Sequence, residues 1–131
     1  MTAAPGLILF AHGARDPRWA GPFEAVAAQV QASRPHALVR LAFLEFMTPT
    51  LVQAGNELAA AGCHQVAVLP MFLGTGGHVR KDLPLLLDEL RTAHPQVQFN
   101  LHAAVGEMQA VTDAMAGVAL GLLQAADGSQ A

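Results

Sequence analysis

Apolar positions along this chain follow two rhythms, and the alternation between them predicts the elements. Leu7-Ile8-Leu9-Phe10-Ala11 is a continuous apolar run between Gly6 and His12-Gly13, as suits a strand buried on both faces. Past the turn residues Asp16 and Pro17, Phe23, Val26, Ala27 and Val30 recur at helical spacing until Pro35 closes the segment. From Leu38 to Leu44 the pattern alternates, with Val39, Leu41 and Phe43 on one face and Arg40 on the other, which predicts a strand with one face partly exposed. Thr48 and Pro49 then predict the N-cap and first turn of a helix whose Leu51, Gly55 and Leu58 share a face before Gly62 ends it. Val66-Ala67-Val68-Leu69 is again continuously apolar and leads into a glycine loop. Beyond it, Leu83, Leu86, Leu87 and Leu90 mark a third helix that stops before Pro95. Val97, Phe99 and Leu101 alternate with Gln98, Asn100 and His102, the pattern of an edge strand with one wet face. A last helix carries Val111, Met115, Val118 and Leu122, and its most apolar tract, Ala114 to Ala126, reads as buried.

Four strands alternating with four helices specify an α/β fold: one three-layer domain over residues 1–126, with a four-stranded parallel sheet, right-handed crossovers and helices on both faces. The tail, 127–131, is expected to fray. The first and third strands are apolar on both faces and belong in the centre; the second and fourth carry polar faces and belong at the edges. The strand order is then 2-1-3-4. In such a sheet the topological switch lies between strands one and three, and ligands bind beyond the carboxyl ends of the strands at that crevice. His12 follows one of those ends and His78 the other.

Composition adjusts this picture at a few points. A chain of 131 residues with 53% hydrophobic content fits one core, and a domain of this size buries roughly two thirds of its unfolded surface. Only 13% of residues are charged, so the apolar supply exceeds what a lone domain needs and points toward a subunit interface. A net charge of -3 with no Lys/Arg run argues against nucleic acid as a partner. The tract from Ala114 to Ala126 is shorter than the ~20 residues of a membrane span, so no membrane partner is expected. A single cysteine, Cys63, excludes an intramolecular disulfide, and no charged start with an apolar signal segment precedes the first strand, so the expectation is a cytoplasmic protein.

The candidate chemistry gathers at the same sheet edge. His12, His78 and the carboxylate of Glu45, at the end of the second strand, have the donor types to bind a borderline divalent ion such as Co²⁺, Ni²⁺ or Fe²⁺, or to transfer protons. His36, His64, His94 and His102 lie at element ends, in a turn or on a polar strand face, where structural roles are the simpler account. Arg15, Arg18, Arg80 and Lys81 are four of only seven Lys/Arg residues, and all lie close in sequence to His12 or His78. That clustering suits a polyanionic ligand, since guanidinium groups fork onto carboxylates or phosphates; the alternative is a pair of solvated helix starts. Asp82 is expected either to cap the third helix or to pair with Arg80. Gly74, Gly76 and Gly77 would let backbone approach a flat ligand, or simply make the turn. The loop is neither a Walker loop, because Lys81 is followed by Asp82, nor a dinucleotide fingerprint, because Val79 stands where the third glycine is required.

Three blocks, His12-Gly13-Ala14-Arg15-Asp16-Pro17-Arg18, then Phe43-Leu44-Glu45 with Pro49 soon after, then Pro70-Met71-Phe72-Leu73 through Gly77-His78 and Asp82-Leu83-Pro84, together resemble the small CbiX-type sirohydrochlorin chelatases. The resemblance runs from the first strand to the third helix; the last strand and helix match only in general character. Ala14 departs from it, standing where the family's His-Gly-Ser-Arg block has serine. The resemblance implies insertion of a divalent ion, Co²⁺ foremost with Ni²⁺ or Fe²⁺ in relatives, into sirohydrochlorin for cobalamin, siroheme or related synthesis. His12 and His78 would carry the metal, which is a substrate, and no permanently bound cofactor is expected. The resemblance also implies that so short a chain, half the size of the two-lobed chelatases, works as a homodimer. On this view His12 and His78 also accept pyrrole protons, Glu45 assists, and Arg15, Arg18, Arg80 and Lys81, with Gly76 and Gly77, hold the tetrapyrrole and its peripheral carboxylates. Two rivals keep the same residues without turnover: a carrier of divalent metal or tetrapyrrole, and an interaction domain whose histidines only pack.

Overall fold

A computed structural model describes residues 3–74 and 76–128, the side chain of His78 lying outside that description. Four strands, β1 (Gly6–Ala11), β2 (Leu38–Phe43), β3 (Gln65–Pro70) and β4 (Gln98–Leu101), form one sheet in the order β2-β1-β3-β4. All pairings are parallel, Gly6 standing opposite both Leu38 and Val66, and Gln65 opposite Gln98. The expected topology is therefore the observed one. The crossovers carry α1 (Gly21–Ser33), α2 (Leu51–Ala60) and α3 (Gly77–Ala93), and the chain closes with α4 (Gln109–Ala126). Short 3-10 turns, Pro17–Ala20 and Val105–Glu107, precede α1 and α4.

The main core lies between the sheet and the α2–α3 pair. Ile8 and Phe10 of β1, Val66 and Val68 of β3 and Phe99 of β4 meet Leu51, Ala54 and Leu58 of α2 and Val79, Leu83, Leu87 and Leu90 of α3. The α3 residues recur at i, i+4, i+8 and i+11, which keeps one apolar stripe on the sheet. Gly55 lets the two helices approach, since a Cβ there would press into the Leu90 side chain. The other face of the sheet holds a smaller cluster, Ala11, Ala20 and Phe43 with Trp19, Phe23, Leu41, Met47 and Met71. No residue of α1 is buried, and on the same face Leu7, Ala67 and Leu69 are only half-buried.

Several local expectations are corrected. The cap of α2 is Thr50, not Thr48: its hydroxyl accepts from the Gln53 amide at 3.2 Å while the Gln53 side chain accepts from the Thr50 amide at 2.9 Å. That reciprocal box satisfies two otherwise orphaned N–H groups. Helix α3 begins at Gly77 behind Gly76, so His78, Arg80, Lys81 and Asp82 ride on its first turns instead of hanging in a loop, and Asp82 is not the cap. The largest correction concerns α4. It is apolar but not buried, with Val118 and Leu122 each 70% exposed, because α2 and α3 already fill one face and α4 touches its own chain chiefly through the turn that precedes it. Among the described residues no helix is long and apolar enough to cross a membrane.

Candidate active site

The carboxyl edge of the sheet is extended by main-chain bonds that outlast the strands. The Leu44 amide donates to the Ala11 carbonyl at 2.9 Å and the Glu45 amide to the His12 carbonyl at 3.0 Å, which sets Glu45 beside His12. On the other side of β1, the Met71 amide donates to the Phe10 carbonyl at 2.7 Å. Gly13 makes the first juncture feasible. Its φ is +91°, and a Cβ at this position would collide with the Glu45 carbonyl oxygen, so only glycine lets the two loops lie this close.

His12 is exposed to solvent while its ring lies on the buried Phe72, centroids 4.1 Å apart and planes 33° from parallel. Phe72 meets Phe10 edge-on at 5.8 Å, so the imidazole rests on a column rooted in the core. An exposed imidazole with a fixed ring plane presents its nitrogens to a ligand at little ordering cost. Glu45 is also exposed. His78 sits in the first turn of α3, directly after the β3 loop, and its backbone lies at the same sheet edge as His12. Among the described residues no three His, Cys, Asp or Glu side chains form a preformed metal cluster.

The cations divide into separate groups. Arg15 stacks on the ring of Phe46, its guanidinium carbon 5.2 Å from the centroid. Arg18 is engaged elsewhere: it grips Asp16 through Nε and Nη2, with the shortest contact at 2.7 Å, in a side chain that is 91% exposed. Asp16 also caps the 3-10 turn by accepting from the Arg18 backbone amide at 2.9 Å, and the Arg18 hydrogen bonds hold the Asp16 carboxyl below its ordinary range. Arg80 and Lys81 are both exposed on α3. Gly76 and Gly77 are exposed too, and a side chain at either would meet open space, so packing within the chain does not demand glycine there.

Some features escaped the sequence pattern. Arg80 shares the wall of a cavity of about 200 Å³ with Pro70, Leu83, His102 and Glu107, at the β4 side of the same edge. Phe46 and Phe72, the rings attached to Arg15 and His12, were also missed. A phenylalanine one position past Glu45, at the end of an apolar strand, was the available signal. His94 keeps the structural role expected of it, its Nε2 lying 2.7 Å from the Asn56 Oδ1. Cys63 is buried, which pushes its thiol pKa up, and it is remote from this edge at the start of β3.

The CbiX family model matches residues 6–118. This chain belongs to the CbiX family. A sirohydrochlorin cobaltochelatase of Saccharolobus solfataricus is 38% identical over 82 residues, a match covering 63% of this chain and 62% of that protein. The crystal structure of a CbiX protein of Marinobacter aquaeolei VT8, described as a cobalamin (vitamin B12) biosynthesis protein, superposes with a TM-score of 0.80 at 31% identity, covering 92% of this chain and 98% of that one. The cobalt complex of the sirohydrochlorin chelatase SirB from Bacillus subtilis subspecies spizizenii shares the fold, with a TM-score of 0.69 at 22% identity; 85% of this chain covers 47% of that one. For this CbiX chain, His12, Glu45 and His78 therefore lie in the matched region, and α4 beyond residue 118 runs outside it.

Proposed function

We propose that this chain inserts a divalent metal ion, Co²⁺ foremost with Ni²⁺ or Fe²⁺ as alternatives, into sirohydrochlorin. The observation that carries the proposal is His12, exposed on the Phe72 column with Glu45 held beside it by the 3.0 Å main-chain bond, in a chain of the CbiX family. The cobaltochelatase name of the Saccharolobus relative and the cobalt bound to SirB favour Co²⁺ as the substrate ion. Metal insertion exchanges aqua ligands for ring nitrogens and releases two pyrrole protons. In this proposal His12 and His78 receive the ion, the ring nitrogens freed as it passes to the macrocycle take up those protons, and Glu45 passes protons to solvent. Arg15, Arg80 and Lys81 bind peripheral carboxylates, with Gly76 and Gly77 at the ligand's edge. Arg18 joins them only by exchanging Asp16 for substrate.

The assembly belongs to the same proposal. Helix α4 leaves Met115, Val118, Leu120, Leu122 and Leu123 exposed, while the β3 half of the α1 face leaves Ala67 and Leu69 half-buried. A second copy of this chain covers both surfaces if α4 of each protomer lies on the open half-face of the other. The 47% of SirB that this chain spans supports such a pairing, two copies approximating that longer chain. The expected setting is the cytoplasm.

Metal insertion is followed by the visible spectrum of sirohydrochlorin with Co²⁺, Ni²⁺ and Fe²⁺ in turn. His12→Ala and His78→Ala should each lower the insertion rate by about 10²-fold or more, with little change in melting temperature. Full activity in both variants would sink the assignment. Turnover beyond one equivalent of sirohydrochlorin separates an enzyme from a carrier.

A further inference from the structure

Phe46 is placed where a folding chain would not put it. It is 58% exposed and has a φ of +66°, the only non-glycine residue with positive φ among those described. The Met47 amide donates to the Glu45 carbonyl at 2.8 Å across it, closing a three-residue γ-turn. That turn is rare and strained with positive φ, and a bulky aromatic side chain tolerates the region poorly. Main-chain bonds on either side hold it: Glu45 to His12 at 3.0 Å, and Phe43 to Pro49 at 2.9 Å. Strain maintained by its surroundings beside candidate chemistry calls for a functional account, since burial does not supply one.

The neighbours say what the ring can take. The guanidinium of Arg15 lies over the exposed Phe46 ring, so an apolar face and a cation stand together at this sheet edge. A flat conjugated macrocycle with a carboxylate rim has apolar faces for such a ring and anionic groups for the cation at its margin. We infer that Phe46 is the stacking platform for the tetrapyrrole face, the γ-turn aiming its ring toward the crevice and Arg15 fixing the ring plane while reaching a peripheral carboxylate. This rests on the tetrapyrrole reading above and deepens it. Phe46 thereby sets the depth and tilt at which the macrocycle meets His12, and governs substrate affinity more than the metal step.

The test is equilibrium binding of metal-free sirohydrochlorin by absorbance titration, alongside Co²⁺ insertion, melting temperature and sedimentation velocity. The proteins are wild type, Phe46→Asn, which accepts positive φ, Phe46→Leu and Phe46→Tyr. Phe46→Asn should bind roughly 3- to 10-fold more weakly, with KM rising more than kcat falls and a melting temperature at or above wild type. Phe46→Leu should fall between, and Phe46→Tyr should bind within about twofold of wild type, an aromatic face being retained. Wild-type affinity in Phe46→Asn overturns the platform and leaves the chelatase reading intact. A loss of binding that accompanies a change in sedimentation or a lower melting temperature overturns it in favour of an interface or structural role. The Phe46 pattern of binding without insertion of any metal keeps the platform and removes the enzyme. No binding of sirohydrochlorin by wild type removes both.

Discussion

On the α2–α3 side of the sheet, Ile8, Phe10, Leu58, Val66, Val68, Leu87 and Leu90 are wholly buried; on the other side no residue of α1 is buried and Leu7, Ala67 and Leu69 remain half-covered. The first side satisfies itself within one chain. The second has an unused helix, α4, and an uncovered patch of sheet. The difference separates two demands on one sequence: the first side supplies folding, and the second leaves apolar surface that the described part of the chain does not cover.

The most damaging way to probe that contrast is at the finished side. Leu87→Ala removes a wholly buried side chain from the α3 stripe and should cost about 2–5 kcal/mol. Thermal melts should show the loss equally at every protein concentration. On the unfinished side, the double variant Val118→Glu with Leu122→Glu touches helix surface exposed within the chain, and such changes alter the stability of an isolated protomer by about 0.5 kcal/mol or less. Its effect should fall on assembly: sedimentation should shift from dimer to monomer, and the dependence of melting temperature on protein concentration should vanish. A wild-type protein that sediments as a monomer would erase the comparison.

The smallest effect lies at the start of α1. Asp16 has its pKa lowered by its hydrogen bonds to Arg18, so its contribution is fully present above the ordinary value of 3.8 and is lost as pH falls through the lowered folded value. Because the pair is solvent-exposed, Arg18→Ala should lower stability only slightly at neutral pH, and that small difference from wild type should disappear as pH falls through the lowered value. A large stability loss at pH 7 in that variant would show that the pair does more than cap a turn.

Much of this architecture is legible in the sequence because strand hydrophobicity is a local signal with a global meaning. Two-sided apolar runs at Leu7 and Val66 had to be central, which fixed the order and brought His12 and His78 to one edge. Capping was less legible: Thr48-Pro49 has the composition of a helix start, but the reciprocal bonds of Thr50 and Gln53 decide the boundary. The exposure of α4 was legible only indirectly, through the apolar excess of the whole chain, while the helix itself read as buried. Apolar periodicity marks a face suited to burial and says nothing of whether the chain itself buries it. At the site, His12 and Glu45 could be paired from strand ends, whereas the Phe72 column and the φ of Phe46 arise from tertiary contacts that no spacing encodes.

Gly13 and Gly55 both occupy places where a methyl group has no room, yet they differ in what a lineage can do about it. At position 55 the obstacle is the end of the Leu90 side chain, so a larger residue could become acceptable once position 90 shrank, and the two sites can drift together. At position 13 the obstacle is a main-chain carbonyl, which every amino acid at position 45 carries. No second substitution removes it. The juncture that sets His12 beside Glu45 is thus closed to compensation, and sequence change near the proposed metal site has to proceed around a fixed glycine.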